Sequence, residues 1–377
     1  MKKAVDFIKR EAVLVIAVSL AVVSAFFVPP DWAYLGYIDF RTLGILFCLM
    51  AVVAGVRRLG VFDLLAQVLL KRVTNVRQLV LLLVLMCFLL SMLITNDVAL
   101  LTFVPFSFVL LELSGEEAER RWLITLIVMQ TIAANLGSML TPLGNPQNLF
   151  LYGKSGMSLS EFILLMLPYS IVSLIVLLIW WLIKGAKSTA SLSVSFPEPA
   201  VIKGKKRLVM YSVLFCICIL SVLRVLDWRI TLAVVFVAVI AADRRTLLSV
   251  DYSLLVTFIG FFVFIGNMGR IPALRSFLEG VVSSNEVLTA VLSSQLISNV
   301  PAAILLAEFT ENYPALIVGT NLGGLGTLIA SMASLISYKQ LAAKYPQKKG
   351  RYMLVFTLAN IGFLAVLFCE YLLIAAV

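Results

Sequence analysis

The sequence predicts an all-α polytopic membrane protein of two inverted repeats, with about nine spanning helices, two re-entrant hairpins and broken helices. Three observations predict it. Of 377 residues, 62% are hydrophobic and only 13% charged, about half the charged share of a soluble domain. Uncharged runs recur at lengths near the ~20 residues a helix needs to cross a bilayer, and several are interrupted by Asn, Gly and Pro. The 30 Lys and Arg sit in short clusters between these runs instead of lining one basic face. That pattern sets nucleic acid aside and makes the lipid bilayer the expected partner.

The uncharged runs span 12 to 28, 42 to 56, 78 to 96, 122 to 153, 162 to 183, 208 to 223, 230 to 242, 252 to 269, 287 to 307, 312 to 338 and 352 to 369. The first reads as a retained helix, because Val28-Pro29-Pro30-Asp31 is a poor signal-peptide cleavage site. Segments 61 to 72 and 271 to 282 are short and charged on one side (Asp63, Lys71, Arg72; Arg275, Glu279), so they read as amphipathic helices lying along the interface. Between 79 and 111 two apolar halves meet at Thr95-Asn96-Asp97, and between 287 and 310 two shorter halves meet at Ser298-Asn299-Val300-Pro301. Polar turns between apolar half-helices predict re-entrant hairpins, whose tips reach mid-membrane only inside protein or a water-filled cavity. Two further runs are broken by Asn135-Leu136-Gly137-Ser138-Met139-Leu140-Thr141-Pro142-Leu143-Gly144-Asn145-Pro146-Gln147-Asn148 and by Asn321-Leu322-Gly323-Gly324-Leu325-Gly326-Thr327. Glycine and proline at this density free backbone groups in mid-span.

These features recur in the same order. Asp39 to Gly60 aligns with Asp251 to Pro272, Ile94-Thr95-Asn96 with Ile297-Ser298-Asn299, and Asn135-Leu136-Gly137 with Asn321-Leu322-Gly323, which carries Thr141 onto Thr327. The second repeat has one extra helix before its aspartate. Five crossings separate the two aspartates, an odd number, so the repeats are inverted. Lys and Arg then divide 24 to 6 between the two sides, which by the positive-inside rule predicts a cytoplasmic N-terminus and an external C-terminus in a multi-pass cell (inner) membrane protein.

At these residues the sequence resembles the ion transporter superfamily of divalent anion/sodium symporters, citrate transporters and arsenical efflux permeases. The resemblance covers residues 40 to 377 and rests on the hairpin tips and the Thr-Pro-x-Gly-x-Pro-x-Asn loop. It implies a homodimer in which a transport domain, 77–186 and 286–377, moves like an elevator against a scaffold, 1–72 and 207–283, with 187–206 as a cytoplasmic linker. It also implies substrate binding by Asn96, Asp97, Thr141, Asn145, Asn148, Asn299, Thr327 and Ser331. Cation binding, with Na+ as a possible coupling ion and no other cofactor, falls on Thr95, Asn96, Asp97, Gly144, Ser298 and Asn299. The tips depart from the dicarboxylate pattern, because Asp97 and Val300 stand where those symporters carry threonine. An Asn-Asp tip paired with an Asn-x-Pro tip looks more like the arsenical permeases.

The residues support several readings. Asn96 and Asn299 can donate to an anion or accept from a cation, and can also cap a half-helix. Asp97 is the one acid near the middle of a membrane element; it is either a satisfied cap or a coupling carboxylate that binds Na+ or titrates with H+. Glu112 and Glu308 read as interfacial. Gly137, Gly144, Gly323, Gly324 and Gly326 serve close packing or backbone ion coordination, and Ser334 joins the pocket candidates. Gly153-Lys154-Ser155 imitates a phosphate loop, but Asn148 stands where the first glycine is required. With no histidine in the chain, an acid/base constellation is missing and an enzyme is not expected. The five cysteines, at 48, 87, 216, 218 and 369, all lie in apolar runs and read as packing residues. The expected function is secondary transport of a small anion, carboxylate or inorganic oxyanion, coupled to Na+ or H+ by alternating access. Arsenite or antimonite efflux and Na+/H+ antiport are the alternatives, followed by an anion channel.

Overall fold

The computed structural model describes residues 11–71, 73–185, 201–202 and 204–376. Most of the expected 187–206 linker and the first ten residues lie outside that range. The chain folds into α1 (Ala12–Phe27), α2 (Ala33–Tyr37), α3 (Phe40–Arg58), α4 (Val61–Leu70), α5 (Val76–Ile94), α6 (Asn96–Leu113), α7 (Glu116–Ser138), α8 (Pro146–Ser155) and α9 (Leu159–Gly185). It continues through α10 (Lys205–Val222), α11 (Trp228–Asp243), α12 (Tyr252–Gly269), α13 (Pro272–Ser284), α14 (Glu286–Ile297), α15 (Asn299–Leu306), α16 (Tyr313–Gly323), α17 (Met332–Lys344) and α18 (Lys349–Ala375). Among the described residues six helices are long and apolar enough to cross a membrane: α3, α5, α6, α9, α12, and α18 with the turn before it. The protein is thus a helical, polytopic membrane protein.

The helix starts repeat as the sequence repeats. Asp39 caps α3 by accepting from the Thr42 amide at 3.0 Å, and Asp251 caps α12 by accepting from the Leu254 amide at 3.0 Å. Asn75 caps α5 through the Gln78 amide at 2.9 Å, and Asn285 caps α14 through the Leu288 amide at 2.8 Å. Such caps satisfy amides that a helix leaves unpaired at its first turn, each contributing about 1 kcal/mol.

Around α3 and α12 the remaining helices pack in a crossed pattern. The chain's first helix, α1, lies on α12 in the second half, with Gly260 against Ala17. Helices α10 and α11 lie on α3 in the first half, with Gly44 against Trp228 and Gly55 against Tyr211. The counterpart of α1 is therefore α11, and α10 is the extra helix. Helices α9 and α18 close the opposite flank. Ile171, Ile175, Ile179 and Ile183 form an exposed stripe along α9, as Leu354, Leu358 and Ile361 do along α18; one-turn spacing of bare apolar side chains suits contact with lipid tails.

The basic clusters meet in two groups. At one end Arg58 and Arg207 each pair with Asp243 at 3.9 Å, Lys344 pairs with Glu112 at 2.7 Å, Lys348 pairs with Glu119 at 2.8 Å, and Arg121 donates to the Lys184 carbonyl at 3.2 Å. At the other, Arg41 donates to the Val222 carbonyl at 3.5 Å, Arg224 to the Tyr152 carbonyl at 2.6 Å, and Arg270 pairs with Asp31 at 2.8 Å. Each of these contacts stays within one of the two sets that the charge count separates. Arg270 also holds the exposed Asp31 carboxyl below its ordinary pKa.

Candidate functional site

Two hairpins and two broken spans converge in the interior. The α5–α6 hairpin has arms of 19 and 18 residues, whereas α14 and α15 have 12 and 8. Both hairpins turn at a non-glycine residue with positive φ: Thr95 at φ 72 and ψ 147, Ser298 at φ 75 and ψ 153. Such a backbone costs about 1–3 kcal/mol and persists only where its surroundings hold it. Here the next amide is anchored each time to the loop of the adjacent broken span. The Asn96 amide donates to the Gly144 carbonyl at 3.0 Å, and the Asn299 amide to the Ala330 carbonyl at 2.9 Å.

The loops are sewn to the hairpins at matched positions. Thr141 donates its hydroxyl to the Met92 carbonyl, and Thr327 donates its hydroxyl to the Gln295 carbonyl at 3.2 Å. Gly137 and Gly323 let the broken spans cross the hairpins; a Cβ at 137 would collide with the Phe88 carbonyl oxygen, and one at 323 would meet the Ser294 hydroxyl at 2.6 Å.

The two halves also interlock. Asn135 Oδ1 accepts from Asn96 at 3.1 Å and from Ser331 at 2.9 Å, and its amide donates to Ser334 at 3.4 Å. Asn321 answers from the second half: it accepts from Asn145 at 3.2 Å and donates to Asn148 Oδ1 at 2.6 Å. In the register that pairs Asn135 with Asn321, Asn145 matches Ser331 and Asn148 matches Ser334. Each half's broken-span asparagine therefore bonds the equivalent pair of residues in the other half.

Beside this lattice lies a cavity of about 560 Å³, walled by α3, α4 and the start of α12 on one side and by the first hairpin and its loop on the other. Its polar lining includes Arg57, Arg58, Asp63, Thr95, Asp97, Asn145, Ser249 and Asp251. Asp97 Oδ1 is buried without a hydrogen-bond partner, a costly arrangement for a charged oxygen. A second pocket of about 210 Å³ occupies the matched position at the other end, between the second hairpin, the start of α3 and the end of α12, and is lined by Asp39, Phe150, Lys154, Phe262, Ile304 and Glu308. The Phe150 and Phe262 rings lie 5.7 Å apart there, and the Arg224 guanidinium sits 5.0 Å from the Tyr152 ring.

Of the sequence-nominated residues, Thr95, Asp97 and Asn145 line the large cavity. Asn96, Asn148, Ser298, Asn299 and Ser331 are buried in the lattice behind it. Gly144 contributes its carbonyl to the hairpin anchor, and Thr141 and Thr327 serve as stitches between loop and hairpin. Asn145 is also the N-cap of α8, accepting from the Asn148 amide at 2.9 Å. Glu112 lies at the charged end, bound to Lys344 and to the Tyr345 hydroxyl. The sequence reading assigned no role to Asn135, Asn321, Gln295, Arg57 or Arg58. The first two stood in plain view inside the repeated Asn-Leu-Gly. Arg57 and Arg58, part of the charge pattern that predicts topology, also line the cavity from the end of α3.

Several of the oxygens nominated for a coupling Na+ take part in hydrogen bonds, whereas Asp97 Oδ1 has no partner. The Gly144 carbonyl is taken by the Asn96 amide, Asn96 Oδ1 by the Asp97 amide at 2.9 Å, and the Ser298 hydroxyl donates to the Ala330 carbonyl at 3.4 Å and toward Asn299 Oδ1 at 3.5 Å. Among the described residues no group of three or more Cys, Asp or Glu side chains is placed to hold a metal ion.

Comparison with known proteins places these features in a lineage. The chain is 35% identical over 320 residues to the inner membrane protein YbiR of Escherichia coli, covering 83% of this chain and 82% of that one. It is 31% identical over 318 residues to the uncharacterized transporter MJ0456 of Methanocaldococcus jannaschii, covering 84% and 85%. A shorter stretch of 133 residues, 35% of this chain and 26% of the other, is 35% identical to the silicon efflux transporter LSI3 of Oryza sativa. The family model described as citrate transporter matches residues 3–314, and the chain belongs to that family.

Proposed function

We propose that this protein is a secondary active transporter that moves a small anion, a carboxylate or an inorganic oxyanion, by alternating access between two inverted repeats. The observation that carries the reading is the pair of matched pockets at opposite ends, one of about 560 Å³ and one of about 210 Å³. In a duplicated fold the two arrangements are interchangeable, so opening the small pocket and closing the large one needs only that the halves trade conformations. The larger pocket lies at the Arg57–Arg58 end. At the other, Phe150 packs against Phe262 and Arg224 holds the Tyr152 carbonyl. Those contacts join α8 of the transport part to α12 and to the α10–α11 turn of the scaffold, where an elevator-like movement would have to separate them.

The chemistry suits an anion. The N-termini of α6, α8, α15 and α17 start at the interlocked loops, and helix N-termini favour negative charge. Arg57 and Arg58 add two positive charges to the cavity wall, while Asp97, Asp63 and Asp251 oppose them. Asp97 sits at the hairpin tip, so its charge repels an arriving anion unless a cation or proton neutralises it. Binding of the anion and neutralisation of Asp97 therefore favour each other, which is the linkage that coupled transport requires.

The test is flux in proteoliposomes under imposed Na+ and pH gradients, over dicarboxylates, citrate, sulfate, phosphate and arsenite. Accumulation of one anion against its gradient is expected. If neither gradient drives any of them, the coupled-carrier reading fails; single-channel currents would favour a channel. The likeness to a silicon efflux transporter over 133 residues favours a second reading, export of a small inorganic oxyacid, and arsenite efflux in the same assay addresses it.

A further inference from the structure

We infer that the side-chain amides of Asn148 and Gln295 fill the positions a coupling sodium ion would take in the two interrupted loops, so that neither loop supplies a Na+ site and the neutralisation of Asp97 during transport falls to a proton. This rests on the transport reading above and names the ion that does not drive it.

A broken span exposes carbonyl oxygens in mid-membrane, and each needs a positive partner. A cation can supply it, and so can an N–H group, because both address the same lone pairs. In the first half, Asn148 Nδ2 lies 3.4 Å from the Ser138 carbonyl, 3.3 Å from that of Met139 and 3.3 Å from that of Thr141. In the second, Gln295 Nε2 lies 2.9 Å from the Gly323 carbonyl, 2.8 Å from that of Leu325 and 3.3 Å from that of Val291. In the first half three carbonyls at the break face one amide nitrogen; in the second the broken-span carbonyls of Gly323 and Leu325 do, with the Val291 carbonyl of α14 beside them.

The orientation of both amides is fixed by chemistry. Carbonyls only accept, so the NH2 group must face them. The opposite oxygens are held by donors: Asn321 donates to Asn148 Oδ1 at 2.6 Å, and the Thr327 amide donates to Gln295 Oε1 at 2.8 Å. A Na+ ion entering either position would have to expel an amide that is bonded at both ends. The hairpin amides of Asn96 and Asn299 occupy the next carbonyls along, Gly144 and Ala330.

The two amides do not descend from one position. Asn148 corresponds to Ser334 and Gln295 to Met92, yet each repeat caps the same matched carbonyl, Met139 in one and Leu325 in the other. Different residues reaching one end point in each half is what a requirement for a resident donor produces.

Two measurements on the full-length protein test the inference. In proteoliposomes, with the anion identified by the gradient panel, replacing Na+ by choline on both sides should change the uptake rate by less than about twofold. A tenfold or greater activation by Na+ would overturn it while leaving the transport reading intact. The second measurement needs no substrate. In detergent, NaCl and choline chloride at equal ionic strength should give the same Tm, since only a ligand that binds the folded state raises it. A saturable, Na+-specific rise in Tm would overturn the inference even if no anion in the panel is transported, which is the separate outcome that defeats the transport reading.

Discussion

The two broken-span cores share a backbone and differ in the side chains that serve it. In the first half the amide at the break reaches back from α8, as Asn148; in the second it reaches across from the hairpin, as Gln295. The first tip carries Asp97 facing the large cavity, and the second carries Val300, buried. Hinge dihedrals, hairpin anchors, loop stitches and helix caps repeat almost residue for residue. The comparison teaches that backbone and packing glycines are shared between the halves while the tip and loop side chains are not; on the proposed transport reading, the shared frame would supply two conformations and the unmatched side chains the substrate and coupling.

The largest expected effect breaks the asymmetry at the tips. Asp97→Asn removes the one tip carboxylate and leaves its shape; because Oδ1 has no partner to lose, the fold should survive. Gradient-driven accumulation should disappear in proteoliposomes while Tm stays within a few degrees, since the amide keeps the shape and removes only a buried charge. Coupling that persists unchanged in this variant would assign Asp97 no part in it.

Next in size is the interlock. Asn135→Ala and Asn321→Ala each strand buried partners in the opposite half, at about 1–3 kcal/mol for each group left unpaired. Both should lower stability in detergent by similar amounts, as measured by chemical or thermal unfolding. A large loss for one and none for the other would show that the reciprocal bonding is not reciprocal in energy.

The matched glycines sharpen the comparison further. Gly137→Ala would drive a methyl into the Phe88 backbone oxygen, whereas Gly323→Ala would meet the Ser294 side chain less closely, its hydroxyl at 2.6 Å and its Cβ at 2.7 Å. Overpacking costs typically ~1–3 kcal/mol, so Gly137→Ala should fall toward the upper end and Gly323→Ala toward the lower. Tm shifts of equal size would contradict the difference in what each methyl meets.

The smallest effect concerns the exposed Asp31–Arg270 pair. Hydrogen bonding to Arg270 lowers the folded-state pKa of Asp31 below its ordinary 3.8. Its contribution is therefore present above that value and is lost as pH falls through the folded-state pKa. Arg270→Gln should flatten the acid limb of the stability profile slightly and, if Asp31 and Arg270 both belong to the scaffold part expected from the sequence, leave flux untouched. A change in flux would tie this pair to the moving parts.

Much of this frame was legible before any coordinates. Asn-Leu-Gly written twice, a polar turn after each apolar half-helix and clustered Lys and Arg are local signals, and each became a local structure: a crossing glycine, a hinge with positive φ, a charged end. What remained hidden depends on packing between distant segments. Ser331 meets Asn135 across 196 positions, and nothing in a run of residues announces that Gln295 turns its amide into a loop 28 and 30 positions away. Arg57 and Arg58 sit at a helix end, where the topology rule already explains them; only the cavity wall gives them a second role. The first hairpin's arms also proved long enough to cross, so its return to its own end is visible in the charged contacts of Glu112 and not in its length.

The central claim, that one interior site faces each end in turn, is tested most directly by sided labelling of Leu143→Cys, which lies on the large cavity between hairpin and loop. In a variant with the five native cysteines replaced by serine or alanine, an impermeant maleimide is applied to one face of the membrane at a time. Labelling from both faces, faster from the face of Arg57 and Arg58, is the predicted result. Labelling from that face alone, under every substrate and gradient condition that supports flux, would contradict alternating access.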